Sequence, residues 1–253
     1  GDDWIEALAG DDAIFALAGD DDVFGGDGVD YIIAGDGDDN VDGGSGYDEI
    51  DGGAGNDTIN LGADGGVTIG GTGTDTFVID GSHQATSVSA TIIGGGTAIA
   101  GVYTGDGEQD TFQFDGSPDG TIELYTDSTD RLDFTTLDSS VTVYPDSVSV
   151  SGSSLSITVV DGDLPSNISG SAYDDTFTLD GSCAVSSASG CGATVNYSVD
   201  GNDGDDTINT GDGIDTIDGG ADNDTINSGS GSDTIDGGAD DDTINSGDGD
   251  DSI

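Results

Sequence analysis

Positive charge is almost missing from this chain. Its 253 residues hold one basic side chain, Arg131, against 54 Asp and Glu, for a formal net charge of -53. Nucleic acid is excluded as a partner, because neutralising phosphates takes Lys and Arg. Attachment to anionic headgroups fails for the same reason. The sequence has no apolar run of 18 residues, so no membrane insertion by a helix is expected. The single histidine, His83, cannot build a His-Glu-x-x-His centre, and Gly-x-Ser-x-Gly does not occur, so the nucleophile elbow is absent. Zinc lacks support, since His83, Cys183 and Cys191 lie far apart. Lyase chemistry on a β-helix calls for bases, and only Arg131 is available. The chain reads as a non-enzyme. No leader peptide precedes it and its first residue is Gly, so it is expected to be a processed product or a piece of something longer. Cys183 and Cys191 would close a small loop in an oxidising compartment, adding about 2–3 kcal/mol.

What is present is acid, glycine and a strict period. Such acidity suits a disordered tail, a halophilic surface or a rack of cation sites, and evenly spaced apolar residues argue against disorder. Asp recurs every nine residues at Asp3, Asp12, Asp21, Asp30, Asp39, Asp48 and Asp57, gives way to Gly66, and returns at Asp75. Two positions after each Asp stands an apolar residue: Ile5, Ile14, Val23, Ile32, Val41, Ile50, Ile59 and Phe77. The period resumes with Asp206, Asp215, Asp224, Asp233, Asp242 and Asp251, each followed by Ile. Glycine at this density disfavours helix and suits reversals with positive φ. Residues 211–228 match 229–246 at 15 of 18 positions. The true period is therefore 18, two nonapeptides per turn, which predicts two parallel sheets facing each other across the apolar column.

The pattern resembles G-G-x-G-x-D-x-U-x, the RTX calcium-binding nonapeptide repeat. The resemblance covers about 1–80 and 199–253. It implies an all-β parallel β-roll, or β-helix solenoid, that stays unfolded in a calcium-poor cytosol and folds after secretion.

Physical chemistry points to the same ion. Each nine residues bury one Ile or Val, worth about 1.5–3 kcal/mol, against about 1–2 kcal/mol of backbone entropy per ordered residue. Stacked carboxylates ~4 Å apart add repulsion of about 4 kcal/mol per pair at an effective dielectric of 20. Calcium, taking six to eight oxygens from carboxylates and carbonyls, converts repulsion into coordination; magnesium demands tighter octahedral geometry. The expected ligands are the fourteen phase-locked Asp residues named above, with the turn acids Asp27, Asp36, Asp222 and Asp240. Asp20 and Asp38 are further turn acids, and some of these extra acids are expected to be merely solvated.

Residues 81–198 lose the period but still read as Ser/Thr/Val-rich strands. They are either longer, calcium-poor rungs of the same solenoid or an inserted β-sandwich. The chain thus divides into 1–80, 81–198 and 199–253. Ala13, Phe15, Tyr31 and Ile33 should share one outward face, with Trp4 and Phe24 on the other. Neither end carries a polar cap, so the ends either continue or stack head to tail with copies of the chain. The expected role is a secreted, cell-surface structural or adhesive element: adhesin segment, surface-layer protein or filament subunit. The alternatives are a non-catalytic module of a secreted enzyme, or recognition of ice or polysaccharide by the ladders of Thr207, Thr216, Thr225, Thr234 and Thr243.

Overall fold

The computed structural model describes residues 1–62, 65–80, 88–95, 97–99, 102–104, 109–115, 120–125, 130–137, 141–144, 147–150, 156–159, 167–179 and 195–253. Cys183 and Cys191 lie outside the described residues.

The described chain is a parallel β-solenoid without helix, so nothing described forms a helix long enough to cross a membrane. Consecutive nonapeptides go to opposite sheets. Trp4–Glu6, Asp22–Asp27, Asn40–Ser45 and Thr58–Asn60 build one; Ala13–Ala18, Tyr31–Asp36 and Asp48–Ala54 build the other. Registers are offset by one turn of 18 residues, as in Ile14↔Ile32 and Ile217↔Ile235. The expected two-repeat turn is what forms.

Numbering each nonapeptide so that Gly43 is position one, Asp48 is position six and Ile50 position eight. The strand Asp48–Ala54 buries Asp48, Ile50 and Gly52 and turns Glu49 outward. This period-two alternation corrects the expectation of one inward residue per repeat. The inward row holds Asp at six, the apolar residue at eight and a small residue at one of the next repeat. The phase-locked Asp lines the interior; it is not a turn-surface residue.

Most strands of the non-periodic stretch run in the same two sheets, while Thr97–Ile99 and Val102–Thr104 pair antiparallel as a separate two-stranded sheet. Thr111–Asp115, Arg131–Asp133 and Asn167–Ser169 continue the first; Val88–Gly95, Gly120–Tyr125 and Thr176–Thr178 continue the second. These strands pair in parallel with those of the repeat blocks on either side. One departure is an antiparallel fold-back of Val141–Tyr144, Ser147–Val150 and Ser156–Val159, which accounts for 13 strands in the second sheet against 11 in the first. The core changes as well: buried Ile and Val give way to Phe77, Phe112, Phe114, Phe134 and Phe177. On the outer faces, Trp4 packs on Phe24 at 4.6 Å between ring centroids and Phe15 meets Tyr31 at 6.0 Å, the predicted pairings.

Candidate metal centre

Each repeat turn must pass from one sheet to the other in a few residues while lying against the turn of the next rung. At Gly26 and Gly28 the backbone takes φ of +105° and +147°, and a Cβ at either would strike a carbonyl oxygen of the preceding rung. Only glycine meets both demands cheaply. Position one, held elsewhere by residues such as Ala16, Ala34 or Ser228, is glycine in about half of the repeats for a different reason. A Cβ on Gly25 would sit 2.6 Å from Asp30 Oδ2 and 2.6 Å from the Gly43 carbonyl oxygen. The missing side chain leaves a small space on which a carboxylate oxygen and a carbonyl oxygen of the next rung converge. The same cradle recurs at Gly52 (Asp57 Oδ2 and Gly70 O) and at Gly219 (Asp224 Oδ2 and Gly237 O).

The two oxygens of each position-six Asp have different fates. Oδ1 accepts a hydrogen bond from the backbone N–H of the Asp one rung earlier: Asp3 to Asp21 at 2.7 Å, Asp12 to Asp30 at 2.9 Å, Asp39 to Asp57 at 2.9 Å, Asp206 to Asp224 at 2.9 Å and Asp233 to Asp251 at 3.1 Å. Oδ2 is buried. At Asp12, Asp21, Asp30, Asp39, Asp57, Asp206, Asp224 and Asp233 it has no hydrogen-bond partner.

A buried carboxylate oxygen without a donor is costly and calls for a proton or a cation. Burial, opposed by the N–H bond and reinforced by neighbouring Asp, pushes Asp57 up to about 7 and Asp206 up to about 8. Burial raises Asp39 and Asp224 as well. Among the described residues no three His, Cys, Asp or Glu side chains converge on one point, so a centre here draws on carbonyl oxygens too. Hard, anionic, carbonyl-rich oxygen sets suit calcium, and the residues present fit that ion.

The expected ligands divide by depth. Asp21, Asp30, Asp39, Asp48, Asp57, Asp75, Asp206, Asp215, Asp224 and Asp233 lie in the buried row; Asp12, Asp242 and Asp251 are half-buried and Asp3 is exposed on outer rungs. The additional acids Asp27, Asp36, Asp222 and Asp240 are exposed. Asp27 accepts from the Ser45 hydroxyl at 2.8 Å. Asp222 and Asp240 take φ of +80° and +79° at position four, where other repeats carry Gly.

One functional set escaped the sequence reasoning. Position five staples the rungs in the opposite direction. Asp20 accepts from the N–H of Asp38 at 3.1 Å, Asp38 from that of Asn56 at 2.8 Å, and Asp205 from that of Asn223 at 2.9 Å. Those Asn223 bonds hold the Asp205 carboxyl below its ordinary value. The signal was the acid or amide that precedes most of the phase-locked Asp residues, easily taken for turn filler.

A model of the RTX calcium-binding nonapeptide repeat matches the sequence four times, over 1–32, 33–67, 200–235 and 221–253. The two repeat blocks are RTX calcium-binding repeats. No curated protein matches the chain. The RTX matches cover the unpaired Oδ2 atoms named above and most of the glycine cradles, which recur outside them at Gly170, and they imply calcium binding by this protein.

Proposed function

We propose that this is a secreted, cell-surface structural or adhesive protein, an adhesin segment, surface-layer protein or filament subunit, whose RTX blocks fold and stiffen as they load calcium. The observation that carries the reading is the in-register row of buried Asp Oδ2 atoms without a hydrogen-bond donor, which at Asp30, Asp57, Asp206 and Asp224 face a carbonyl oxygen across a glycine. Asp3, Asp12, Asp21, Asp30, Asp39, Asp48, Asp57, Asp75, Asp206, Asp215, Asp224, Asp233, Asp242 and Asp251 are the side-chain ligands in this reading. Asp27, Asp36, Asp222 and Asp240 assist from the turn exterior. Bound calcium supplies positive charge at the seam between rungs, and metal binding is then folding free energy. The lack of catalytic motifs supports a non-catalytic role, and RTX proteins are typically secreted. The parallel, in-register edges support head-to-tail contact between copies.

Far-UV circular dichroism during a calcium titration, with magnesium as control, tests the metal dependence. The expected result is a cooperative gain of β signal with calcium that equal magnesium does not produce. A β spectrum already complete in chelator would overturn the reading. Negative-stain imaging tests the assembly: filaments with calcium are expected, and dispersed particles with and without it would refute head-to-tail stacking.

A second reading has one favouring observation. Asn227 donates to Asn209 at 3.1 Å and Asn245 to Asn227 at 2.8 Å, locking a regular outer face beside Thr207, Thr225 and Thr243. Ice recognition by that face predicts thermal hysteresis that Thr225→Lys with Thr243→Lys abolishes; its absence in the native protein excludes the reading.

A further inference from the structure

One central rung satisfies both oxygens of its buried carboxylate with protein donors. Asp175 is the counterpart of the RTX Asp, buried, with its own N–H donating to Asp206 Oδ1 at 2.7 Å. Its Oδ1 accepts from the Val141 N–H at 2.6 Å. Its Oδ2, however, accepts from the Ser171 N–H at 2.6 Å, and the Ser171 hydroxyl reaches both oxygens at 3.0 and 3.1 Å. Ser171 occupies position two of its turn, where the RTX turns carry Gly26, Gly44 or Gly220 with positive φ. Ser171 has no positive φ. The changed turn swings its N–H and hydroxyl onto the oxygen that is donorless at Asp30, Asp57, Asp206 and Asp224. Protein donors fill the role for which those RTX turns have none.

Three further observations agree. Of the fully buried Phe residues, Phe112, Phe114, Phe134 and Phe177 fall in this stretch and Phe77 lies at its N-terminal border. Phe77 stacks on Phe112 at 5.1 Å and Phe114 on Phe134 at 5.0 Å. Acid is sparser, with 16 of the 54 acidic side chains in the 118 residues of 81–198 and 38 in the 135 residues outside them. The one basic side chain lies here: Arg131 pairs with Asp133 at 3.1 Å and donates to Ser169 Oγ at 2.8 Å. Larger apolar burial and lower self-repulsion both favour a compact state without added cations.

We propose that the aromatic rungs between Phe77 and Phe177 fold without calcium and template both RTX blocks, with Ser171 standing in for the ion at Asp175. The proposal rests on the calcium reading of the blocks and adds a boundary to it. Parallel pairing is slow to nucleate because distant segments must meet before any contact rewards them. A preformed edge on each side removes that step, and each block then zips outward rung by rung as calcium arrives.

Hydrogen exchange read by mass spectrometry on the full chain, in calcium and in chelator, tests this. In chelator, peptides from 1–62 and 200–253 should lose protection by ~100-fold or more, while peptides covering 109–115, 130–137 and 167–179 stay within ~10-fold of their calcium values. Ser171→Ala should lower protection of 167–179 about tenfold in chelator and leave calcium-bound 220–240 unchanged. Loss of protection across the whole chain in one step would leave the calcium reading standing and overturn the proposal. Blocks that keep their protection in chelator would overturn the calcium reading and the template with it. Ser171→Ala without effect in chelator would overturn the assignment to Ser171.

Discussion

Around Ile217, Ile226 and Ile235 the roll is thin: one Ile per strand, glycine or serine two residues on and, at Asp224 and Asp233, a buried carboxylate oxygen that lacks a donor. Around Phe112, Phe114 and Phe134 the same two sheets enclose stacked rings. Both regions keep the hydrogen-bonded Asp ladder, since Asp75 donates to Asp110 and Asp110 to Asp130 just as Asp206 does to Asp224. The shared ladder is therefore not what makes a rung need calcium. What differs is the size of the apolar side chain two residues on and, at Asp175, the second carboxylate oxygen. On the template proposal, a solenoid changes its metal dependence along its length without changing topology.

Core truncation should break the comparison most forcefully. Phe112→Ala removes a fully buried ring that stacks on Phe77, and should cost about 3–5 kcal/mol, in calcium and in chelator alike. Ile226→Ala should cost about 2–5 kcal/mol in calcium and almost nothing in chelator, where its block is already open. Urea titrations under both conditions read the difference. Equal losses for Ile226→Ala in the two would show that the C-terminal block does not depend on the ion.

Next in size is Gly219→Ala. The new Cβ would lie 2.4 Å from Asp224 Oδ2 and 2.6 Å from the Gly237 carbonyl oxygen, inside the cradle itself. Overpacking of this kind costs about 1–3 kcal/mol, and in this turn, unlike those built around Ala16 and Ala34 at the same position, the backbone places the new methyl in the space where the oxygens converge. Calcium titration should show weaker binding by the C-terminal block, while exchange in the aromatic rungs stays unchanged. Full affinity in Gly219→Ala would mean that the ion sits elsewhere.

Much of this architecture was legible beforehand, because a period is a statement about geometry. Spacing of nine with identity at 18 determined which repeats pair, and Ile226 over Ile244 is the register that follows. The depth of Asp was not legible. An Asp in a Gly-rich stretch looks like a turn residue, and only the alternation through Asp48, Ile50 and Gly52 turns it inward. Nor did composition reveal that Asp20 and Asp21 staple in opposite directions, since the direction depends on which neighbouring N–H is free. Ser171 carried no signal at all: one Ser among many, it matters only because its turn departs from positive φ.

Acidity separates the regions more gently. In the metal-free fold Asp57 titrates at about 7 and Asp206 at about 8, against an ordinary value of 3.8. Raised values mean the folded state holds protons that the unfolded chain releases. Their stabilising contribution is fully present below about pH 4 and is lost as pH climbs through 7 to 8. Calcium needs the ionised form, so affinity should fall as pH drops from 8.5 to 5.5, by up to tenfold per pH unit for each proton displaced. Asp175 is raised by burial too, but bonds from Val141 and Ser171 oppose the shift, so exchange in the aromatic rungs should vary less with pH. Calcium titrations at three pH values, followed by circular dichroism, would show it; a pH-independent affinity would place the ion away from these carboxylates.

The smallest effect concerns the N-terminal rungs. Leu8 and Leu17 occupy position two, where later turns carry glycine, and hold φ of 80° and 87°. A branched side chain in that region costs roughly 1–2 kcal/mol over glycine. Leu17 recovers little of this by packing, since it is 73% exposed. Leu17→Gly should therefore stabilise the N-terminal block by about 1 kcal/mol, less a share for glycine's greater freedom when unfolded. The gain should be visible only with calcium present, because in chelator the strained turn is not formed. Differential exchange of 13–36 reads it directly. A loss of stability instead would show that the Leu17 side chain makes contacts in solution that outweigh its strained backbone, and the first rung would then differ from the RTX turns behind it in packing as well as in sequence.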